Sequence, residues 1–168
     1  AIAANRLCKQ QGARLIINDH PDIAMEAGAD GVHLGLEDMS ISQARAIVGK
    51  KLIIGGTANT IEHVAQRIAE GADYIGLGPY RFTSTKKKLS PILGLNGISD
   101  VLRHFNGANP PIIAIGGILP EDLGAIMQTG VHGVAVSGAI TYAANPKAVV
   151  QAMYKCLDDT PVNLFSKS

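Results

Sequence analysis

Four stretches of the chain repeat one grammar: "QGARLIIN" at 11–18, "AGADGVHLG" at 27–35, "EGADYIGLG" at 70–78 and "TGVHGVAVSG" at 129–138. Each sets a glycine and a short polar join before a β-branched or aliphatic run. Glycine suits a helix C-terminus because it enters the left-handed conformation without a Cβ penalty. The runs that follow are short, apolar and not strictly alternating, which predicts strands buried on both faces, as in a parallel sheet. "KLIIGG" at 51–56 and "PIIAIGG" at 111–117 fit the same pattern.

Helical patterns separate these runs. "SISQARAIVG" has Ser40 and Gln43 at capping-box spacing and ends on Gly49. "NTIEHVAQRIAEG" places Ile61, Val64, Ala65 and Ile68 on one stripe, with Asn59 a candidate cap three residues before Glu62. "LPEDLGAIMQTG" and "NPKAVVQAMYKCL" put Pro120 and Pro146 where a first helical residue belongs. The order is strand then helix, six times, after a helical tail at 1–11 that has no start signal. Such alternation predicts a parallel α/β sheet. No linker divides it, so a single domain over 1–168 is expected. A polar or glycine signal follows every strand, at Asn18-Asp19, Gly35 to Asp38, Thr57 to Asn59, Gly78 onward, Gly116-Gly117 and Ser137-Gly138. A barrel would gather these at its C-terminal face, where active sites sit. An open doubly wound sheet is the alternative.

Composition narrows the function. Lys plus Arg number 15 against 14 Asp plus Glu, so no basic field points to nucleic acid. No apolar run approaches the roughly 20 residues of a membrane helix, and the opening "AIAANRLCKQ" has no basic start followed by an apolar block. Cys8 and Cys156 form no disulfide framework, which favours a reducing, cytoplasmic setting. The segment "GPYRFTSTKKKLSP" at 78–91 collects hydroxyls and ammonium groups. It suits a phosphorylated ligand, and equally a solvated loop. Gly116-Gly117, between a strand and a helix, can offer backbone N–H groups to a phosphate; tight packing is the alternative.

"IINDHPDIAMEAGADGVHLGLEDM", "GADYIGLGPYRFTSTKKK", "AIGGILPED" and "GVAVSGAI" together resemble the thiamine-phosphate synthase family over residues 11–142. The resemblance implies a TIM (β/α)8 barrel. It implies a transferase that joins hydroxymethylpyrimidine diphosphate to thiazole phosphate and releases pyrophosphate with Mg²⁺. Carried over residue by residue, it implies Asp19 and Asp38 as metal ligands and Asn18 on the diphosphate. Thr83, Thr85 and Lys86 would stabilise the leaving diphosphate, and Thr57 would lie near the pyrimidine. Gly117, Ser137 and Gly138 would hold the thiazole phosphate by main chain. In the common pattern a serine stands where this chain has Gly138; here it is shifted to Ser137. The family's Gln-x-Arg-x-Lys motif has no match, and the resemblance implies two further strands before "RLIIN". Assembly into a homo-oligomer stays open.

Blander readings stand beside these. Asp19 could cap the helix opening at "PDIAM", Asp38 could be a solvated loop acid, and Lys87 and Lys88 suit water. The five histidines show no metal-ligand spacing and read as structural. Two rival functions are a thiazole tautomerase-like isomerase, which would want a histidine near Asn59, and a non-catalytic barrel binding a phosphorylated metabolite, which would need no pair of carboxylates.

Overall fold

The computed structural model describes residues 1–82, 91–105 and 110–159. The chain separates into two compact units, Ala1–Ile75 and Gly76–Ser168.

In the first unit, α1 (Ile2–Gln10) is followed by β1 (Ile16–Asn18), α2 (Pro21–Glu26), β2 (Gly31–Leu34), α3 (Ile41–Val48), β3 (Ile53–Ala58) and α4 (Ile61–Ala69). β1 pairs with β2 and β2 with β3, both in parallel, in registers that set Asn18 beside His33 and Leu34 beside Gly56. Val32, Leu34 and Ile54 of the strands and Ala24, Ile41, Ala44 and Val64 of the helices are fully buried. Removal of one such aliphatic side chain from water contributes about 1.5–3 kcal/mol, so this layer dominates the unit's stability. Asn5 of α1 is also buried, and its Nδ2 donates to the carbonyls of Ala27 and Gly28, 2.8 Å from each, which satisfies the end of α2.

β4 (Tyr74–Leu77) runs across the boundary between the units. In the second unit follow α5 (Gly94–His104), β5 (Ile112–Ile115), a 3-10 turn at Pro120–Asp122, α6 (Leu123–Gln128), β6 (Gly133–Ala135), α7 (Gly138–Thr141) and α8 (Pro146–Asp159). β5 and β6 pair in parallel, Ile113 beside Gly133 and Ile115 beside Ala135. Leu77, Ile98, Ala114, Leu123 and Ile126 are fully buried, and α8 packs on α6, α7 and the 3-10 turn. Among the described residues no helix is long and apolar enough to cross a membrane.

All six glycine-marked runs are strands, and Ser40, Pro120 and Pro146 start helical segments as expected. Three expectations need correction. β2, β3 and β4 are buried along most of their length, but β1 and β6 are only half-buried to exposed, because the first pairs on one side with β2 and the second with β5. On α4, Val64 and Arg67 are buried whereas Ala65 is exposed, so the inward stripe contains a charge in place of an aliphatic residue. The cap of α4 is Thr60, whose Oγ1 accepts the His63 N–H at 3.2 Å, and not Asn59, which is itself buried.

"KLIIGG" does not end at a turn. Gly55 and Gly56 lie inside β3. A Cβ on Gly55 would stand 2.1 Å from Cζ of Tyr74, so a phenol ring occupies the space that a side chain would need. Gly55→Ala is expected to drive that ring out of place and to cost about 2 kcal/mol or more, read as a lower urea midpoint with an unchanged slope.

Candidate functional site

The candidate residues of the first unit lie at the exits of its paired strands. β1 ends at Asn18, and the Asp19 N–H still donates to the His33 carbonyl at 2.9 Å. The backbone then turns sharply, with φ 66° at Asp19 and the His20 N–H on the Asn18 carbonyl at 2.8 Å. Among the described residues Asp19 alone takes positive φ without being glycine. Such a conformation costs about 1–2 kcal/mol, and strain of this kind gathers at functional positions. The helix-cap alternative for Asp19 fails, since the residue before α2 is His20 and no side chain caps that helix.

At the exit of β2, Oδ2 of Asp38 accepts the Gly35 N–H at 2.6 Å. Capping of α3 falls to Ser40 and Gln43, which bond each other's backbone N–H groups at 3.2 and 3.0 Å. Asp38 is exposed, as are Asn18 and Asp19.

Thr57, near the end of β3, is buried. Its Oγ1 lies 3.0 Å from Nε2 of His33, whose Nδ1 lies 3.0 Å from the Tyr74 hydroxyl. The two rings stack with centroids 5.4 Å apart. Burial pushes the Tyr74 phenol up to about 12, so it stays protonated at neutral pH. Each ring nitrogen of His33 thus has a hydroxyl partner, Tyr74 on one side and Thr57 on the other. These bonds tie β2 to β3 and to Tyr74, and the place of His33 within an apolar run hid its partners from the sequence.

Arg67 binds these exits together. Its side chain is 3% exposed, and its partner Glu70 lies 2.9 Å away. Nε donates to the Thr57 carbonyl at 3.1 Å and Nη2 to the Gly35 carbonyl at 2.8 Å. Burial pushes the Glu70 carboxyl up, but hydrogen bonds from Gln66, the Ile41 N–H and Arg67 outweigh it and hold the group below its usual range.

In the second unit, Gly116 and Gly117 follow β5 with φ 97° and 69°. Oδ2 of Asp122 accepts from Arg81 Nη1 at 2.9 Å, and Oδ1 from Nη2 at 2.8 Å. Arg81 also reaches the Gly117 carbonyl at 3.0 Å. Ser137 is the residue before α7, and its carbonyl accepts from Ile140 and Thr141, 2.9 Å from each. Thr83, Thr85 and Lys86 lie outside the described residues, as do Lys87 and Lys88.

The thiamine monophosphate synthase family model matches residues 1–140. The chain belongs to the thiamine-phosphate synthase family. It is similar to the thiamine-phosphate synthase of Bacteroides fragilis, 53% identical over 148 residues that cover 87% of this chain and 72% of that one. It is also similar to that of Flavobacterium psychrophilum, 50% identical over 94% of this chain and 77% of the relative. Among solved structures, thiamine phosphate pyrophosphorylase from Pyrococcus furiosus matches with a TM-score of 0.84 at 30% identity, covering 94% of this chain and 73% of that one. A 3-hexulose-6-phosphate synthase shares the fold alone, with a TM-score of 0.65 at 21% identity. The chain is thus a transferase of thiamine biosynthesis that forms thiamine phosphate.

Arg67, His33, Tyr74, Arg81 and Asp122 make contacts with residues 32 to 41 positions away. Burial pushes the Asp122 carboxyl up, but bonds from Arg81 and the Leu119 N–H outweigh it and hold the group below the usual carboxylate range. A depressed folded-state value stabilises above the ordinary aspartate pKa, near 4, and that contribution is lost as pH falls through the folded value. Asp122→Asn is therefore expected to lower the denaturation midpoint at neutral pH. It should also flatten the decline as pH falls below about 4, leaving the share of Glu70. Midpoints measured along a pH series check this.

Proposed function

We propose that the chain condenses hydroxymethylpyrimidine diphosphate with thiazole phosphate, with Asp19 and Asp38 holding Mg²⁺ for the departing pyrophosphate. The observation that carries this reading is two carboxylates at the exits of paired strands. One is set by a strained backbone, and the other accepts the Gly35 N–H through Oδ2, a bond that does not engage Oδ1. Both are exposed, and hard oxygen donors suit a small hard cation that retains part of its water. The donor set therefore fits. When bound, Mg²⁺ supplies charge stabilisation for oxygens that become negative.

In this reading the bond between the pyrimidine methylene and the diphosphate oxygen breaks, and its electron pair leaves with pyrophosphate. The thiazole nitrogen lone pair then forms the new C–N bond to the methylene. Asn18 binds the diphosphate, and Thr83, Thr85 and Lys86 stabilise it as it departs. Thr57, hydrogen-bonded to His33, lies near the pyrimidine. Gly117, Ser137 and Gly138 hold the thiazole phosphate by main-chain groups. A (β/α)8 barrel is the architecture this reading expects, supported by strand–helix alternation and by the likeness to the pyrophosphorylase structure. The setting is cytoplasmic.

Asp19→Asn and Asp38→Asn are each expected to lower turnover at least about tenfold and to weaken the metal site. Titration with Mn²⁺ as a paramagnetic probe, in the absence of substrate, tests the second effect separately. Unchanged Mn²⁺ binding in both variants refutes the assignment.

Lys86→Ala is expected to lower kcat by about 100-fold, the scale for loss of a group that stabilises developing anionic charge. The KM for thiazole phosphate should hardly move. A defect confined to that KM would transfer Lys86 to the other phosphate.

A further inference from the structure

The segment that follows β4 packs along the exit of β5. The Tyr80 N–H donates to the Ile115 carbonyl at 2.8 Å and the Arg81 N–H to the Gly116 carbonyl at 2.9 Å. The Arg81 side chain continues the series with Nη1 on the Gly117 carbonyl at 3.0 Å. Three successive carbonyls thus face one strap.

A trans peptide is planar, so each carbonyl points opposite to the N–H of the next residue. Because the Gly116 and Gly117 carbonyls face Arg81, the N–H groups of Gly117 and Ile118 point away from it. Among the described residues neither N–H donates a hydrogen bond. Consecutive N–H groups on one side, at positive-φ glycines, make a concavity suited to an anion. The strap leaves no room for a side chain there. A Cβ on Gly117 would meet Arg81 Cβ at 3.0 Å and the carbonyls of Arg81 and Phe82, each at 3.1 Å.

Arg81 is in turn fixed by Asp122. The pair is bidentate, and the Asp122 side chain is 10% exposed. Its Oδ2 accepts the Leu119 N–H at 2.9 Å, and its Oδ1 the Tyr80 hydroxyl at 3.4 Å. With its charge matched by this carboxylate, Arg81 acts on the turn rather than on a ligand.

We infer that Arg81 and Asp122 are a positioning pair for the phosphate of the thiazole substrate, clamping the Gly117 carbonyl so that the N–H groups of Gly117 and Ile118 face the anion. The inference rests on the reading of Gly117 as part of the thiazole-phosphate site.

Steady-state kinetics of the whole protein with both substrates test it. Arg81→Met is expected to raise the KM for thiazole phosphate about tenfold, the scale for losing a hydrogen bond to a charged group. The KM for the pyrimidine diphosphate should stay within about twofold, and kcat likewise. Inhibition by the unphosphorylated thiazole alcohol should be unchanged, because it has no anion to place. Arg81→Lys keeps one donor for the Gly117 carbonyl and should recover part of the loss. Asp122→Asn, which retains side-chain shape, guards against a folding defect in Arg81→Met and should reproduce its effect in part. Equal KM changes for the two substrates, or none in either variant, would overturn the inference. A parent protein that turns over neither substrate overturns the proposed function instead.

Discussion

The first unit depends on one buried cation. Arg67 reaches the carbonyls at the exits of β2 and β3 from a helix that packs against β3. A buried guanidinium costs several kcal/mol unless paired and hydrogen-bonded. Here Glu70 matches its charge, and two strand-end carbonyls take further donors. Those carbonyls follow the last ladder positions and would otherwise be poorly satisfied in a buried place. The ion pair has little net value as a pair. Its value lies in fixing two strand exits relative to each other, and Asp38 is one hydrogen bond from one of them, through the Gly35 N–H.

The second unit repeats the solution with different parts. Arg81 and Asp122 bind the exit of β5 as Arg67 and Glu70 bind those of β2 and β3. In both, an arginine donates to backbone oxygen and an acid holds the arginine. The difference is exposure. The Arg67 side chain is 3% exposed and that of Arg81 43%. Water screens the second pair more strongly, so its contribution comes from bidentate geometry more than from charge.

Strands were legible in the sequence because their signal is local. A glycine, a join and an aliphatic run lie within ten residues, and all six such runs are strands. The capping box at Ser40 is legible for the same reason. α5 was expected only from alternation, because Gly94 and Gly97 dilute its pattern. Arg67 was not legible. Helical periodicity assigns a charged residue to the solvent side, and only the partners, Thr57 and Gly35, 10 and 32 positions away, reverse that. Asp122 sits in "LPED", which reads fully as a helix start, and its arginine lies 41 positions earlier. His33 was read as structural without its partners, because Thr57 and Tyr74 lie 24 and 41 positions away.

The two glycines within β3 show how such contacts are written into a sequence without being readable there. A Cβ at Gly56 would stand 2.7 Å from Cδ of Arg67, and one at Gly55 would collide with the Tyr74 ring. Glycine weakens a strand, by entropy and by the lack of a side chain to pack. β3 accepts that loss twice in succession. In return, one guanidinium and one phenol come close enough to the backbone to orient the groups at the strand exits. The two contacts lie on opposite faces of β3, since successive residues of a strand point to opposite sides. Core and site are therefore coupled in one direction. The core can keep its apolar residues without the site, but the site loses its alignment if either small residue grows.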